Sequence, residues 1–125
     1  MGNYFQKEIE CASADQIRAW QNERLVKQVK NIYDNVPYYR RRMQNTGLEP
    51  GDIKSIDDLH KLPFITKDDL RDAYPYGLLA RPLKDCVRMQ STSGTTGRRV
   101  VAFYTQHDLD LWEDCCARAI VAAGG

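Results

Sequence analysis

Two short β-like runs, Cys86–Gln90 and Val100–Tyr104, stand on either side of the polar stretch Ser91–Arg99, and this limits the possible folds more than any other feature. The first run alternates weakly, and the second is apolar and β-branched, as strands are. Joined by a glycine-containing loop they make a hairpin. A hairpin alone is marginal in water and needs further strands or a covering layer.

That layer is expected to be helical. Ser13 with Gln16 has capping-box spacing. Behind it Ile17, Gln21, Leu25, Val29, Ile32 and Val36 recur at intervals of three and four, predicting one face of a long helix. Pro37 ends it and suits the first position of a second helix through Tyr38–Tyr39–Arg40, for which Gly47 is the natural stop. Ser55-x-x-Asp58 and Thr66-x-x-Asp69 predict two short helices separated by an extended Leu62–Ile65 connector. Thr105 with Asp108 caps a final helix whose inward face is expected at Leu109, Trp112, Cys116, Ala119 and Ala123. The fold class is α/β: a mostly helical N-terminal block, then a hairpin and a helix. The close at Gly124–Gly125 leaves that last unit little to pack against, so the chain is expected to be a truncated part of a longer protein.

Composition excludes several classes. Of 125 residues, 42% are hydrophobic and 28% charged, with 18 basic against 17 acidic residues and a net charge of +1. Such balance offers no electrostatic footprint for nucleic acid or an anionic membrane surface. No apolar run is long enough to span a bilayer, and the first ten residues lack signal-peptide character. A cytoplasmic location is the expectation. Cys11, Cys86, Cys115 and Cys116 have no zinc-like spacing and read as reduced, partly buried thiols.

The chemistry concentrates in Ser91–Thr92–Ser93–Gly94–Thr95–Thr96–Gly97–Arg98–Arg99. Glycines let the backbone turn through positive φ and approach a ligand closely. Successive N–H groups in such a turn form an anion-binding concavity, to which hydroxyls and guanidinium groups add donors. A solvated turn is the commoner outcome for a short Ser/Gly/Thr loop. A Walker A loop fails, because Gly94 and Gly97 are too close and no lysine follows. A KH-type module matches Gly94–Thr95–Thr96–Gly97 literally, but its loop joins two helices, whereas strands are expected here.

Thr92–Ser93–Gly94–Thr95–Thr96–Gly97 resembles the phosphate-binding signature of the adenylate-forming superfamily. Tyr33–Arg40, Leu62–Arg71, Tyr74–Gly77 and the run from Tyr104 to Trp112 are similar to the N-terminal blocks of phenylacetate–CoA ligases. The resemblance runs in order from about Ile17 to Gly124. It implies a two-step ligase using ATP, magnesium and coenzyme A. A carboxylate attacks the α-phosphorus, giving an acyl-adenylate and pyrophosphate, and the coenzyme A thiol then displaces AMP. Phenylacetate or a related aromatic carboxylic acid is the implied substrate, with another adenylated acid or a stand-alone nucleotide- or nucleic-acid-binding module as alternatives. Thr92, Ser93, Gly94, Thr95, Thr96 and Gly97 are then the ATP-phosphate residues. Arg98 stands near the position where many relatives carry proline and lysine, so the cation is kept without the stiff ring. Residues 1–85 become a helical subdomain and 86–125 the start of the AMP-binding domain. Other site elements lie further along in such enzymes, so this chain alone is expected to be inactive. A homodimer is compatible with the sequence.

Lys67 is the candidate catalytic residue outside the loop, since it follows a helix cap, and helix N-termini present free N–H groups to anions. An exposed first-turn lysine is the equal alternative. Arg40–Arg41–Arg42 reads as a solvated face, with a CoA-phosphate or nucleic-acid contact as the sharper option. Tyr38, Tyr39, Tyr74 and Tyr76 read as packing, or as the lining of an aromatic-acid pocket. His60 and His107 read as surface residues.

Overall fold

The computed structural model describes residues 3–94, 97 and 99–125. A one-turn helix α1 (Lys7–Glu10) precedes the long α2 (Ala14–Asn35), and α3 (Pro37–Asn45) follows after a single residue. Ser13 caps α2 by accepting from Gln16 N–H at 3.2 Å. Val36 is the elbow between α2 and α3. It is held extended, as a residue before proline tends to be, and Pro37 opens α3. The elbow is pinned by Arg40, which donates to the carbonyls of Tyr33 (2.8 Å) and Asp34 at the end of α2. A cation there satisfies orphan carbonyls and complements the helix dipole.

Helix α3 stops in a Schellman turn. Gly47 N–H donates to Gln44 O (3.0 Å) and Leu48 N–H to Met43 O (2.9 Å), with Gly47 at φ +68°. A residue without Cβ is favoured there, and the same turn brings Leu48 onto Met43. These two join Val29 and Ile53 in the core, with Leu25, Tyr33 and Leu62 packed at its edge. The predicted apolar face of α2 is thus covered only from Leu25 onward, because Ile17 and Gln21 lie on solvent.

The Ser55–Asp58 capping box is present, but it opens a 3-10 segment, Ile56–Lys61, rather than an α-helix. Asn22 Oδ1 on α2 accepts Ile56 N–H (2.9 Å) and ties the segment down. The Thr66–Asp69 box does open an α-helix, α4 (Lys67–Asp72).

After residue 85 the chain forms the antiparallel hairpin β1 (Cys86–Ser91) and β2 (Val101–Thr105). Met89 pairs with Phe103 and Ser91 with Val101, while Val87 is bulged out between Cys86 and Arg88. Thr105 ends β2 and caps α5 (Gln106–Ala122) without an intervening loop, its box completed by Asp108. Helix α5 folds back on β2, and Trp112 lies 5.6 Å from the Tyr104 ring. The expected inward face needs correction. Leu109 is partly covered, but Trp112, Cys116, Ala119 and Ala123 are exposed, and Asp114, Ala117, Arg118 and Val121 are the covered positions further along. Among the described residues, no helix is long and apolar enough to cross a membrane.

Candidate functional site

The loop between β1 and β2 is closed by its own residues. Thr92 N–H donates to Val100 O (3.0 Å), and Val100 N–H donates to the Thr92 hydroxyl oxygen (3.1 Å). This pair extends the hairpin one step past Ser91–Val101 and draws the two ends of the loop together. Inside it Gly97 N–H donates to Gly94 O at 3.2 Å. Gly94 sits at φ +71° and Gly97 at φ +132°, both in the region that disfavours L side chains. The glycines differ in surroundings. A Cβ on Gly94 would stand 2.8 Å from Arg99 Cγ and 3.2 Å from Gly97 O, whereas one on Gly97 would meet nothing within 4 Å. Gly94 is needed for close packing as well as for φ, and Gly97 for φ and an open approach.

Ser93 is exposed and its hydroxyl has no partner among the described residues, so it is a free donor. Arg99 is exposed too, and its stem runs beside Gly94. The sequence offers both Arg98 and Arg99 as cations beside the loop, with Arg98 the named site candidate; of the two, Arg99 is described, and it lies against the glycine turn. Thr95, Thr96 and Arg98 lie outside the described residues. The loop is strand-flanked, so the helix-flanked arrangement of a KH module is not met.

Lys67 is the first residue of α4 and is exposed. No hydrogen bond or ion pair joins it to the loop among the described residues. The start of α4 is filled by its own cap: Asp69 accepts from Thr66 N–H (2.6 Å) and from the Thr66 hydroxyl (2.9 Å). Arg42 also reaches Asp69 (3.0 Å) and donates to Tyr38 OH (2.6 Å) and Phe64 O (2.7 Å). The neighbouring Tyr38 hydroxyl, the Thr66 donors and the Arg42 charge hold the Asp69 carboxyl down to about 2. The arginine run is therefore no uniform solvated face. Arg40 and Arg42 are structural clamps, and Arg41 alone stays exposed.

One cavity lies between the helical block and the hairpin, and a second lies within the helical block between α3 and the segment after α4. The larger, about 780 Å³, is bounded by Gln28 and Asn31 of α2, by Leu70 of α4, and by Phe103 and His107. The second, about 700 Å³, is lined by Tyr38, Arg41, Tyr74 and Tyr76 among others. Tyr39 turns elsewhere, toward Ile32, Met43 and Leu62. His60 is engaged with Asp57 O (2.7 Å). All four cysteines are free, and three of them are exposed rather than partly buried. Among the described residues no three His, Cys, Asp or Glu side chains gather as a metal site, so no magnesium position is assigned.

No family model matches the chain. It is 49% identical over 117 residues to the phenylacetate–coenzyme A ligase of Pseudomonas putida and 46% identical to that of Escherichia coli, in each case over 94% of this chain and 27% of the relative. The Thermus thermophilus ligase of the same name is 41% identical over 120 residues. Among solved structures, 2-hydroxyisobutyryl-CoA ligase in complex with 2-HIB-AMP and CoA superposes with a TM-score of 0.83 at 26% identity, covering 94% of this chain and 26% of that one. An open conformation of the same ligase gives 0.77 at 22% identity, a likeness of fold. The chain spans about a quarter of the length of these relatives, and over that span its sequence is similar to the phenylacetate–coenzyme A ligases.

Proposed function

We propose that the protein carrying this chain activates phenylacetate, or a related aromatic acid, as an acyl-adenylate and transfers it to coenzyme A. In this reading residues 1–85 form a supporting helical subdomain and 86–125 begin the AMP-binding domain. The observation that carries it is the 49% identity to a ligase of that name over 94% of the chain. The loop supports it chemically. Thr92, Ser93, Gly94 and Gly97, together with Thr95, Thr96 and Arg98, hold the ATP phosphates, and Arg99 adds charge beside Gly94. Preorganised donors of this kind stabilise the charge that builds as pyrophosphate leaves. Lys67 is the assigned second cation, reaching the triphosphate from α4. The structural likeness to a 2-hydroxyisobutyryl-CoA ligase favours a second reading, in which the acid is not aromatic.

The test is phenylacetate-dependent ATP–pyrophosphate exchange by the full-length protein, alongside thiolysis of a supplied acyl-adenylate. Gly97→Val should cut exchange by about two orders of magnitude, because a β-branched residue resists φ +132° and blocks phosphate approach. Lys67→Ala should slow exchange and spare thiolysis, since pyrophosphate has left by then. Wild-type exchange in Gly97→Val would reduce the loop to a turn. Exchange with 2-hydroxyisobutyrate but not phenylacetate would select the second reading.

A further inference from the structure

We infer that the 700 Å³ cavity lined by Tyr38, Tyr74, Tyr76 and Arg41 binds an aromatic monocarboxylate, its ring among the tyrosines and its carboxylate on the Arg41 guanidinium. No described residue of the Thr92–Arg99 loop lines this cavity, and the inference does not rest on the loop's role.

The rings are positioned in advance. Tyr38 is fixed by its hydroxyl bond from Arg42 and by the Arg42 guanidinium 5.5 Å over its ring, and it stands edge-on to Tyr39. Tyr76 rests on Phe103 with centroids 5.5 Å apart. Tyr74 and Tyr76 are nonetheless about half exposed, leaving aromatic surface facing an open space. Offset and edge-on ring contacts suit a further ring better than an aliphatic chain.

The charge is specific in the same way. Arg40 is spent on the end of α2 and Arg42 on Asp69 and Phe64 O, whereas Arg41 has no hydrogen bond or ion pair among the described residues. A free guanidinium presents a planar fork that fits a carboxylate with two parallel bonds. Arg41 is the one cation among the described residues that line the cavity. A polyanion such as a nucleotide tail would meet a single cation there, so a monoanion is the better match. The volume lies within the ~300–1,000 Å³ usual for small-molecule sites.

The experiment is calorimetric titration of phenylacetate into the full-length protein saturated with a phenylacetyl-sulfamoyl adenosine, a non-reactive adenylate mimic. Further binding is expected beyond the blocked site. It should weaken at least about tenfold for neutral phenylacetamide and for Arg41→Gln, as loss of a charge-assisted pair implies, with part recovered in Arg41→Lys. Absence of further binding overturns the inference. Binding that ignores Arg41→Gln, or that takes phenylacetamide equally well, overturns it too. Pyrophosphate exchange tests the ligase reading separately, and the Arg41-dependent binding would survive its failure.

Discussion

The helical block closes on its own interior, with Val29, Met43, Leu48 and Ile53 packed together, whereas the hairpin and α5 bury no described side chain completely. Both regions are built from the same local devices. Capping boxes start the Ile56–Lys61 segment and α4 on one side and α5 on the other, and a glycine at positive φ stands at the end of both α3 and α5. Local devices therefore shape a segment without supplying the apolar burial that stabilises it. Val87, Met89, Leu111 and Ile120 keep large apolar surface outside, on the half that carries the loop. The half with the closed core and the half that carries the Gly94–Gly97 loop are different halves.

Two methionines test this contrast most strongly. Met43 is 1% exposed and Met89 64% exposed. In urea unfolding of the chain, Met43→Ala should lose about 2–5 kcal/mol through lost burial and a cavity. Met89→Ala should stay within about 0.5 kcal/mol. Equal effects would show that the hairpin half has a core after all.

A smaller effect is expected at the turn that closes the block. Gly47→Ala meets no neighbouring atom within 4 Å, so only the φ of +68° resists it. The cost should be about 1–2 kcal/mol by the same unfolding measurement. A neutral result would mean that the turn relaxes without disturbing Leu48 against Met43.

Acid sharpens the contrast further. Asp69 and Asp58 both have carboxyls held down to about 2, Asp69 mainly by Tyr38 and the Thr66 donors, Asp58 by Lys61 and the Lys54 and Ser55 N–H groups. A depressed carboxyl contributes stability that is complete above its unfolded value of about 3.9 and lost as pH falls through its folded value. The urea midpoint should thus drop between about pH 4 and pH 2, and Asp69→Asn should flatten part of that slope. Partly exposed groups make this the mildest of the three effects. A slope unchanged by Asp69→Asn would remove the Arg42–Asp69 contact from the block's stability.

Most of the local architecture was legible in the sequence, because its causes are local. Ser13, Thr66 and Thr105 each precede a helix and accept the N–H bond their spacing predicts. The hairpin followed from β-branched residues beside turn formers. What was illegible depends on distant partners. Arg42 meets Asp69 from 27 residues away, so its neighbours in the run could not distinguish it from Arg41. Ser55–Asp58 reads the same before an α-helix and a 3-10 segment, and the choice falls where Asn22 takes Ile56 N–H. The covered side of α5 is set by how the helix lies on β2, and periodicity leaves that rotation open. For the candidate site, the loop's closure and glycine angles matched their residue types, while Arg99 beside Gly94 emerged only in three dimensions.

The bond from Val100 N–H to the Thr92 hydroxyl oxygen also sets a polarity. A hydroxyl that already accepts a hydrogen bond is left with its proton to give, and acceptance strengthens that gift by polarising the O–H. In the proposed phosphate site, Thr92 would therefore meet an incoming anion with its direction chosen beforehand by the strand pairing. Serine would keep this wiring. Valine, nearly the same shape, would leave Val100 N–H without its acceptor and the anion without its donor, so one missing oxygen would be felt on both sides of the loop.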